Sequence, residues 1–417
     1  MGSNESLPVR KSVENLTLPQ LKPSVTDFNT SRRKPIICSG WVANECCSQW
    51  SPQNVSYSNE VFIPAPERHQ VRVKLYAAGI NPVDAQRTTF KSAAPDAQKP
   101  SRHPLPTFAF PYVCGIEGSG IIESVGWESD DSTMNCDLQV GDRVTFLADV
   151  TKNLGGTFCQ FANVDASVVC KLPEVEEVGS PLIDMVEAAA LPAAAGTAYI
   201  ALFDKLRIEK GKSIFISGAT GGVGSVAVQL AHFFGLQVFA SCSSSNLNYA
   251  RELGADVVID YARGDVVKRI LKETKDYGVD YLLECASSTL AESHSQALRY
   301  GGSICVITGL LQPSCDLVFR RQLSIHYVFT GLMYNIPDAR AQLRPLCTAL
   351  VQMYLQQAFR VDVEEVPLSR VGEALSIIAL GHCKGKLVVT GFHEKEAAEE
   401  YARRMLVKHY NTALQYH

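Results

Sequence analysis

Ser217-Gly218-Ala219-Thr220-Gly221-Gly222-Val223-Gly224 separates a continuous apolar run, Ser213-Ile214-Phe215-Ile216, from a longer apolar segment, Val226 to Phe234. In that setting the stretch is the turn of a strand, glycine turn, helix unit. Glycines there let the backbone approach a pyrophosphate, and the helix start presents unpaired N–H groups and a partial positive charge to it. Ala219 takes the place of the first glycine of G-x-G-x-x-G, a small residue that keeps the turn tight. A glycine-rich turn of purely structural use is the bland alternative, but the flanking strand and helix favour a dinucleotide site built on Ala219, Thr220, Gly221, Gly222, Val223 and Gly224.

Outward from this unit the pattern repeats. Gln237-Val238-Phe239-Ala240 reads as the next strand, Leu247 to Leu253 as a helix, and Asp256-Val257-Val258-Ile259, Tyr281-Leu282-Leu283 and Ser303-Ile304-Cys305-Val306-Ile307 as further strands. Continuous apolar strands separated by helices predict an α/β fold with a doubly wound parallel sheet. The end of the second strand decides the nucleotide. An NAD site offers an acid there for the ribose 2′-OH, but this chain has Ser241-Cys242-Ser243-Ser244-Ser245-Asn246. Hydroxyls and amides can donate to a 2′-phosphate that a carboxylate would repel, so NADPH is expected over NADH, although this loop carries no arginine or lysine. A solvated serine-rich loop is the competing reading.

The N-terminal third alternates short β-rich runs, such as Val71 to Leu75 and Gly120 to Gly126, with turns, and predicts an antiparallel, partly barrel-like domain. Lys91 to Pro106 and Glu128 to Asp137 are polar and read as surface loops, and Ala188 to Phe203 reads as a buried strand or helix. Helical runs at Ala339 to Leu355 and Val371 to Leu380 precede a last strand, Lys386 to Val389. At about 150 residues per domain, 417 residues predict two or three domains. A net charge of −4 excludes the clustered positive excess that nucleic acid requires. Thirteen cysteines, with an adjacent pair Cys46-Cys47 and no CxxC, fit reduced thiols in a cytosol-like compartment. Of these, Cys46-Cys47 is the pair to test for redox sensing. No stretch has the length and apolarity of a membrane span. Met1-Gly2-Ser3-Asn4-Glu5-Ser6 satisfies the N-myristoylation pattern at Gly2, which a chance match or a cloning remnant would also produce.

The combined motifs resemble the zinc-independent, quinone oxidoreductase-like branch of the medium-chain dehydrogenase/reductase superfamily. The matching stretches are Ala77 to Asp84, Gly115 to Gly120, Val140 to Val144, Ala188 to Pro192, Gly196 to Tyr199, the glycine turn, Leu253 to Asp256, Asp260-Tyr261 and Gly381 to Lys386. The extended loop after Asp84 and the Gly-His-x-x-Gly-Lys ending look most like the reticulon-4-interacting protein 1-like subgroup. The resemblance implies a GroES-like, β-rich substrate domain (34–190 and 335–393) around an inserted Rossmann domain (191–334). A disordered leader (1–33) and a charged helical tail (394–417) are expected to flank these domains. No metal is expected: Asn81 and Asp84 replace the early cysteine region of the zinc enzymes, Ile116 replaces their histidine, and no four-cysteine lobe follows. A short-chain dehydrogenase is excluded, because no tyrosine has a lysine four residues on.

The resemblance also implies the site. Asn81 would be an amide donor at the substrate cleft, or only a turn former, and Asp84 would buttress that loop. Thr197 would lie on the nicotinamide side, with Ser243, Ser244 and Tyr261 near the 2′-phosphate. Lys386 would either reach a phosphate or end a strand as a solvated charge. The implied activity is NADPH-dependent hydride transfer to a quinone or an α,β-unsaturated carbonyl. Enoyl-thioester reduction is the alternative, although the tyrosine those enzymes carry after the Asn-Pro-x-Asp turn is missing from Ala85 to Ser92. A further alternative is an NADPH-binding scaffold with little turnover. A homodimer through an edge strand near Ser324 to Thr330 is expected, in the cytoplasm, with membrane association through Gly2 or a mitochondrial site as variants.

Overall fold

The structure, a computed structural model, describes residues 34–89, 110–128, 137–149, 151, 155–173, 183–311, 315–381 and 383–393. The expected leader and its Gly2 site, the tail, the loop Lys91 to Pro106 and most of Glu128 to Asp137 lie outside the described residues.

Among the described residues, eight strands come first: β1 (Ile36–Ala43), β2 (Val55–Ile63), β3 (Gln70–Gly79), β4 (Tyr112–Val113), β5 (Glu117–Val125), β6 (Arg143–Leu147), β7 (Phe161–Asp165) and β8 (Cys170–Lys171). A parallel set follows: β9 (Ser213–Ser217), β10 (Gln237–Cys242), β11 (Val257–Asp260), β12 (Val279–Glu284), β13 (Leu298–Val306) and β14 (Ser324–Tyr327). The chain then returns with β15 (Val363–Pro367) and β16 (Lys386–Thr390).

β1, β2 and β4 form a small sheet, and the order β15-β16-β3-β5-β6-β8, with β7 also on β3, forms a larger one. Val71, Val73 and Leu75 of β3 alternate into one apolar core with Phe146 and Phe158. The return of β16 matters most for the site. It pairs antiparallel with β3, Val388 opposite Gly79 and Val389 opposite Ala78, which carries Lys386 to the Asn81 turn.

The second layer is a six-stranded sheet in the order β11-β10-β9-β12-β13-β14, every pair parallel. Its order reverses between β9 and β12, the switch point at which doubly wound sheets open a ligand crevice. The apolar run of β9 is continuous because both faces are covered. Ile214 and Ile216 enter one core, and Phe215 enters another.

Ala188 to Phe203, open between strand and helix in the sequence, is helical. The helix Met185–Ala189 leads into a segment wound as π-helix over Leu191–Ala195 and Ile200–Lys205, with an α-helical turn Gly196–Tyr199 between them. Its small residues allow close packing: a Cβ on Gly196 would lie 3.3 Å from the Leu346 side chain. The expected helix Ala339 to Leu355 is two pieces, Pro337–Arg340 and Leu343–Leu355. Among the described residues, no helix is long and apolar enough to cross a membrane.

Candidate active site

The helix after β9 begins at Gly222 and runs to Phe233, four residues earlier than its apolar segment indicates, so the glycine run forms its first turn. Gly218 holds φ +57°, the left-handed region where glycine carries no steric penalty. Gly224 must be bare for another reason: a Cβ there would lie 2.2 Å from the Gly218 carbonyl oxygen. Gly221 and Gly222 differ, since a Cβ on either would come no nearer than 3.6 Å to the neighbouring protein. A Cβ at either would make ordinary van der Waals contacts rather than clash, and the backbone N–H groups of this helix start are the donors a pyrophosphate needs.

Beneath the turn lies a buried network that sequence reasoning missed. Glu284, at the end of β12 and fully buried, accepts from Ser217 Oγ and from the N–H groups of Ala286 (2.9 Å) and Ser287 (3.0 Å). Its second oxygen lies 2.7 Å from His294 Nδ1. Ser217 Oγ in turn accepts from Cys285 N at 2.9 Å. This fixes residues 285–287 against Gly218, whose Cβ would meet Ala286 N at 3.3 Å. His294 has no partner spacing in the sequence because its partner is a strand residue. The signal that was available is Glu284 itself, a carboxylate closing an apolar strand.

The serine loop is anchored by Ser241, buried, whose carbonyl accepts from Ala219 N at 3.0 Å. Ser243 Oγ lies 3.0 Å from Ser245 Oγ, and Ser244 Oγ donates to Asp260 Oδ2 at 2.5 Å. Register explains this last contact, because Cys242 of β10 stands opposite Asp260 of β11. An acid absent from the loop in sequence thus arrives from the neighbouring strand. So does a cation: Arg263 Nε is 3.5 Å from Asp260 Oδ2, with the arginine side chain 79% exposed. Tyr261 stands beside them, half exposed.

On the other side of the crevice, Asn81 caps the short helix Pro82–Gln86, and its N–H donates to Asp84 Oδ2 at 2.8 Å. Asn81 Nδ2 donates to Glu117 Oε1 at 2.7 Å and reaches Gly79 O only at 3.4 Å, while Asn81 Oδ1 accepts from Lys386 Nζ at 2.5 Å. Lys386 Nζ also lies 2.6 Å from Glu117 Oε1, and Glu117 Oε2 accepts from Ala193 N at 2.7 Å. Lys386 is therefore not a solvated strand end, the second of its two sequence readings, because it is 3% exposed and ion-paired. Its stem runs beside the glycine turn, its Cδ 3.7 Å from where a Gly222 Cβ would stand. The preceding Gly385 N donates to Thr220 O at 2.9 Å. Burial raises the Asp84 carboxyl to about 7 against the Asn81 N–H and Lys386, which favour its charge. Thr197 is hydrogen-bonded to Thr330, Oγ1 to Oγ1 at 2.8 Å.

The geometry thus brings Lys386, Asn81, Asp84 and Glu117 together next to Gly222, and it sets Ser243, Ser244 and Tyr261 around Asp260 at the ends of β10 and β11. Glu117, at the head of β5, is a further site residue that sequence reasoning missed; once the fold buries it, its carboxylate requires a partner. Among the described residues, no three His, Cys, Asp or Glu side chains converge as a metal site.

Two family models match the chain, the Alcohol dehydrogenase GroES-like domain over residues 67–174 and the Zinc-binding dehydrogenase over 222–343. The quinone oxidoreductase of Rattus norvegicus is 30% identical over 257 residues, 61% of this chain and 69% of the relative. The chain belongs to the quinone oxidoreductase-like medium-chain dehydrogenase/reductase family. Within that family, the chloroplastic NADPH-dependent alkenal/one oxidoreductase of Arabidopsis thaliana is 29% identical over 343 residues, 79% of this chain and 74% of the relative. The fold is shared with the crystal structure of Escherichia coli quinone oxidoreductase complexed with NADPH, at TM-score 0.69 and 20% identity, covering 85% of this chain and all of that one. For this medium-chain family member, the two matched regions hold Asn81, Asp84 and Glu117 in the first and the helical start Gly222 to Gly224 in the second.

Proposed function

We propose that this protein is a metal-independent reductase that uses NADPH to reduce quinones or α,β-unsaturated carbonyls. The observation that carries this reading is the glycine turn at the β9 and β12 switch point, whose Gly222 lies one lysine side chain away from Asn81. NADPH, when bound, supplies the hydride. The N–H groups of Gly222, Val223 and Gly224 hold its pyrophosphate, with Ala219, Thr220 and Gly221 shaping the turn. Ser243, Ser244, Tyr261 and Arg263 take the 2′-phosphate, and Thr197 borders the nicotinamide side.

Asn81 faces the oxygen on which negative charge develops. Its Oδ1 is held by Lys386 and one N–H by Glu117, while the other N–H, only 3.4 Å from Gly79 O, is the donor left for substrate. A nearby ammonium in a dry site polarises that amide, so stabilisation is in place before the reaction starts. Asp84 holds the Asn81 backbone and acts as a positioning residue.

The test is a panel of quinones, enones and an enoyl thioester with NADPH or NADH, run with and without chelator. Quinone- or enone-dependent NADPH oxidation that survives chelator is the expected result. Thioester turnover alone would favour the enoyl-thioester reading, saturable binding without oxidation would favour a scaffold, and equal affinity for NADH would remove the cofactor assignment. The same reading includes a homodimer through β14, an edge strand of the parallel sheet, where Tyr327 and Phe329 are exposed. Sedimentation of a Tyr327→Lys variant tests that contact. A cytoplasmic site, with membrane association through Gly2 or a mitochondrial site as variants, is tested by imaging the full chain beside a Gly2→Ala variant.

A further inference from the structure

β9 and β12 are tied together at both ends by the same device, a serine on β9 and a carboxylate 67 residues later on β12. At the amino end, Ser213 donates from N and Oγ to Asp280 Oδ2 at 2.9 and 3.0 Å, and Asp280 N donates back to Ser213 Oγ at 3.1 Å. Arg299 Nε holds the other Asp280 oxygen at 2.6 Å. At the carboxyl end, Ser217 stands opposite Glu284 in the strand register and donates to its Oε1. Only this second tie faces the switch point, where a nucleotide lies between the loop after β9 and the loop after β12.

The carboxyl-end tie also reaches further than its counterpart. The N–H groups of Cys285, Ala286 and Ser287 all turn down onto Ser217 Oγ or Glu284 Oε1. Two buried side chains thus hold the whole backbone of that loop. Ser287 then caps the helix Ser288–Ser295, which returns His294 to Glu284, Nδ1 lying 2.7 Å from Oε2. Phe215 of β9 packs edge-on to the His294 ring, centroids 5.2 Å apart. Since a Cβ on Gly218 would already lie 3.3 Å from Ala286 N and Cys285 C, any displacement of this loop is felt at the glycine turn.

We propose that Ser217, Glu284 and His294 are positioning residues for the nucleotide, setting the separation between the glycine turn and loop 285–287, the two lips that hold it. The proposal rests on the NADPH reading above and deepens it, naming what shapes the part of the site that NADPH and NADH share. None of the three side chains needs to touch the cofactor. Ser217 and Glu284 are fully buried and His294 nearly so, so water does not compete for these bonds and the lips are set before a nucleotide arrives.

The two ends of β9 supply the experiment, because Ser217→Ala and Ser213→Ala are the same substitution on the same strand. Each full-length variant is checked by circular dichroism and urea unfolding, and its Kd for NADPH and for NADH is read by nucleotide fluorescence. Both variants should lower the urea midpoint. Only Ser217→Ala should weaken NADPH, about tenfold, as a small misplacement of a binding group can. It should weaken NADH by the same factor, so the preference between the two stays that of wild type. His294→Asn keeps an amide within reach of Glu284 and should bind as wild type does, whereas His294→Leu should weaken both nucleotides. Unchanged affinity in Ser217→Ala and His294→Leu overturns the proposal, as does an equal loss of affinity in Ser213→Ala or in His294→Asn. A wild-type chain that binds neither nucleotide would remove the NADPH reading itself, and this role with it.

Discussion

Lys386 Nζ and Glu117 Oε1 lie 2.6 Å apart with side chains only 4% and 0% exposed, and this pair joins the last strand of the chain to the turn that carries Asn81. A buried pair of this kind adds little net stability, but removing one partner strands the other charge away from water. Lys386→Met should therefore destabilise the fold by about 3–5 kcal/mol, read as a lowered urea midpoint at unchanged slope. Adding Glu117→Gln should recover much of that loss, because a neutral amide needs no counter-charge. Additive losses in the double variant would show that the two side chains do not act as a pair.

Asp84 supplies a pH-dependent test of the same cluster. Burial raises its carboxyl from 3.8 to about 7, with Glu117 adding to the rise and the Asn81 N–H, Lys386 and Arg87 opposing it. An acid whose folded value exceeds its unfolded one contributes stability that is complete below about pH 4 and is lost as pH rises through 7. Asp84→Asn keeps an acceptor for the Asn81 N–H and does not titrate. The stability of wild type relative to this variant should fall by about 4 kcal/mol between pH 4 and 7. Urea midpoints at successive pH values measure it, and parallel curves for the two proteins would sink the assignment.

These two predictions concern a cluster that was only partly legible in the sequence, for a physical reason. Strands such as Ile214 to Ile216 announce themselves because both faces are buried, and the glycine turn is readable because Gly218 and Gly224 have backbone needs that few other residues meet. Lys386 is different. Its contact with Asn81 spans 305 residues and exists only because β16 pairs with β3. Asp260 likewise reaches Ser244 through strand register, and Cys159 covers Gly40 of β1 because Gly40 is bare. β15, Val363-Glu364-Glu365-Val366-Pro367, escaped notice because it is an edge strand. Two acids and a proline at such an edge conceal its β character.

The glycine turn predicts two separable losses. Gly224→Ala places a Cβ 2.2 Å from Gly218 O. It should destabilise the fold on the order of 3 kcal/mol, visible in thermal unfolding without any nucleotide. Gly222→Asp meets nothing nearer than 3.6 Å at Cβ, so it should fold almost normally. Its carboxylate would stand at the helix start and repel a pyrophosphate, weakening NADPH at least about tenfold, or 1.4 kcal/mol, in a fluorescence titration. If both variants lost only stability, the turn would be structural and the nucleotide would bind elsewhere.

The choice between NADPH and NADH rests on a balance that the serine loop alone does not reveal. Asp260 brings a carboxylate to Ser244, and by itself it would repel a 2′-phosphate. Arg263 lies 3.5 Å from that carboxylate and is largely exposed, so its guanidinium can neutralise the acid and still turn a face to an incoming phosphate. Arg263→Ala removes the cation and leaves the acid. It should weaken NADPH about tenfold, from ~1.5 kcal/mol for a charge-assisted hydrogen bond, and leave NADH almost unchanged. Asp260→Asn should act in the opposite direction, tightening NADPH while Arg263 is freed from its partner. Each Kd is read by nucleotide fluorescence at two salt concentrations. The preference should shrink as salt rises, because an exposed guanidinium is readily screened. An Arg263→Ala variant that weakened both nucleotides equally would mean the arginine only supports the loop, and discrimination would then belong to the hydroxyls of Ser243, Ser244 and Tyr261.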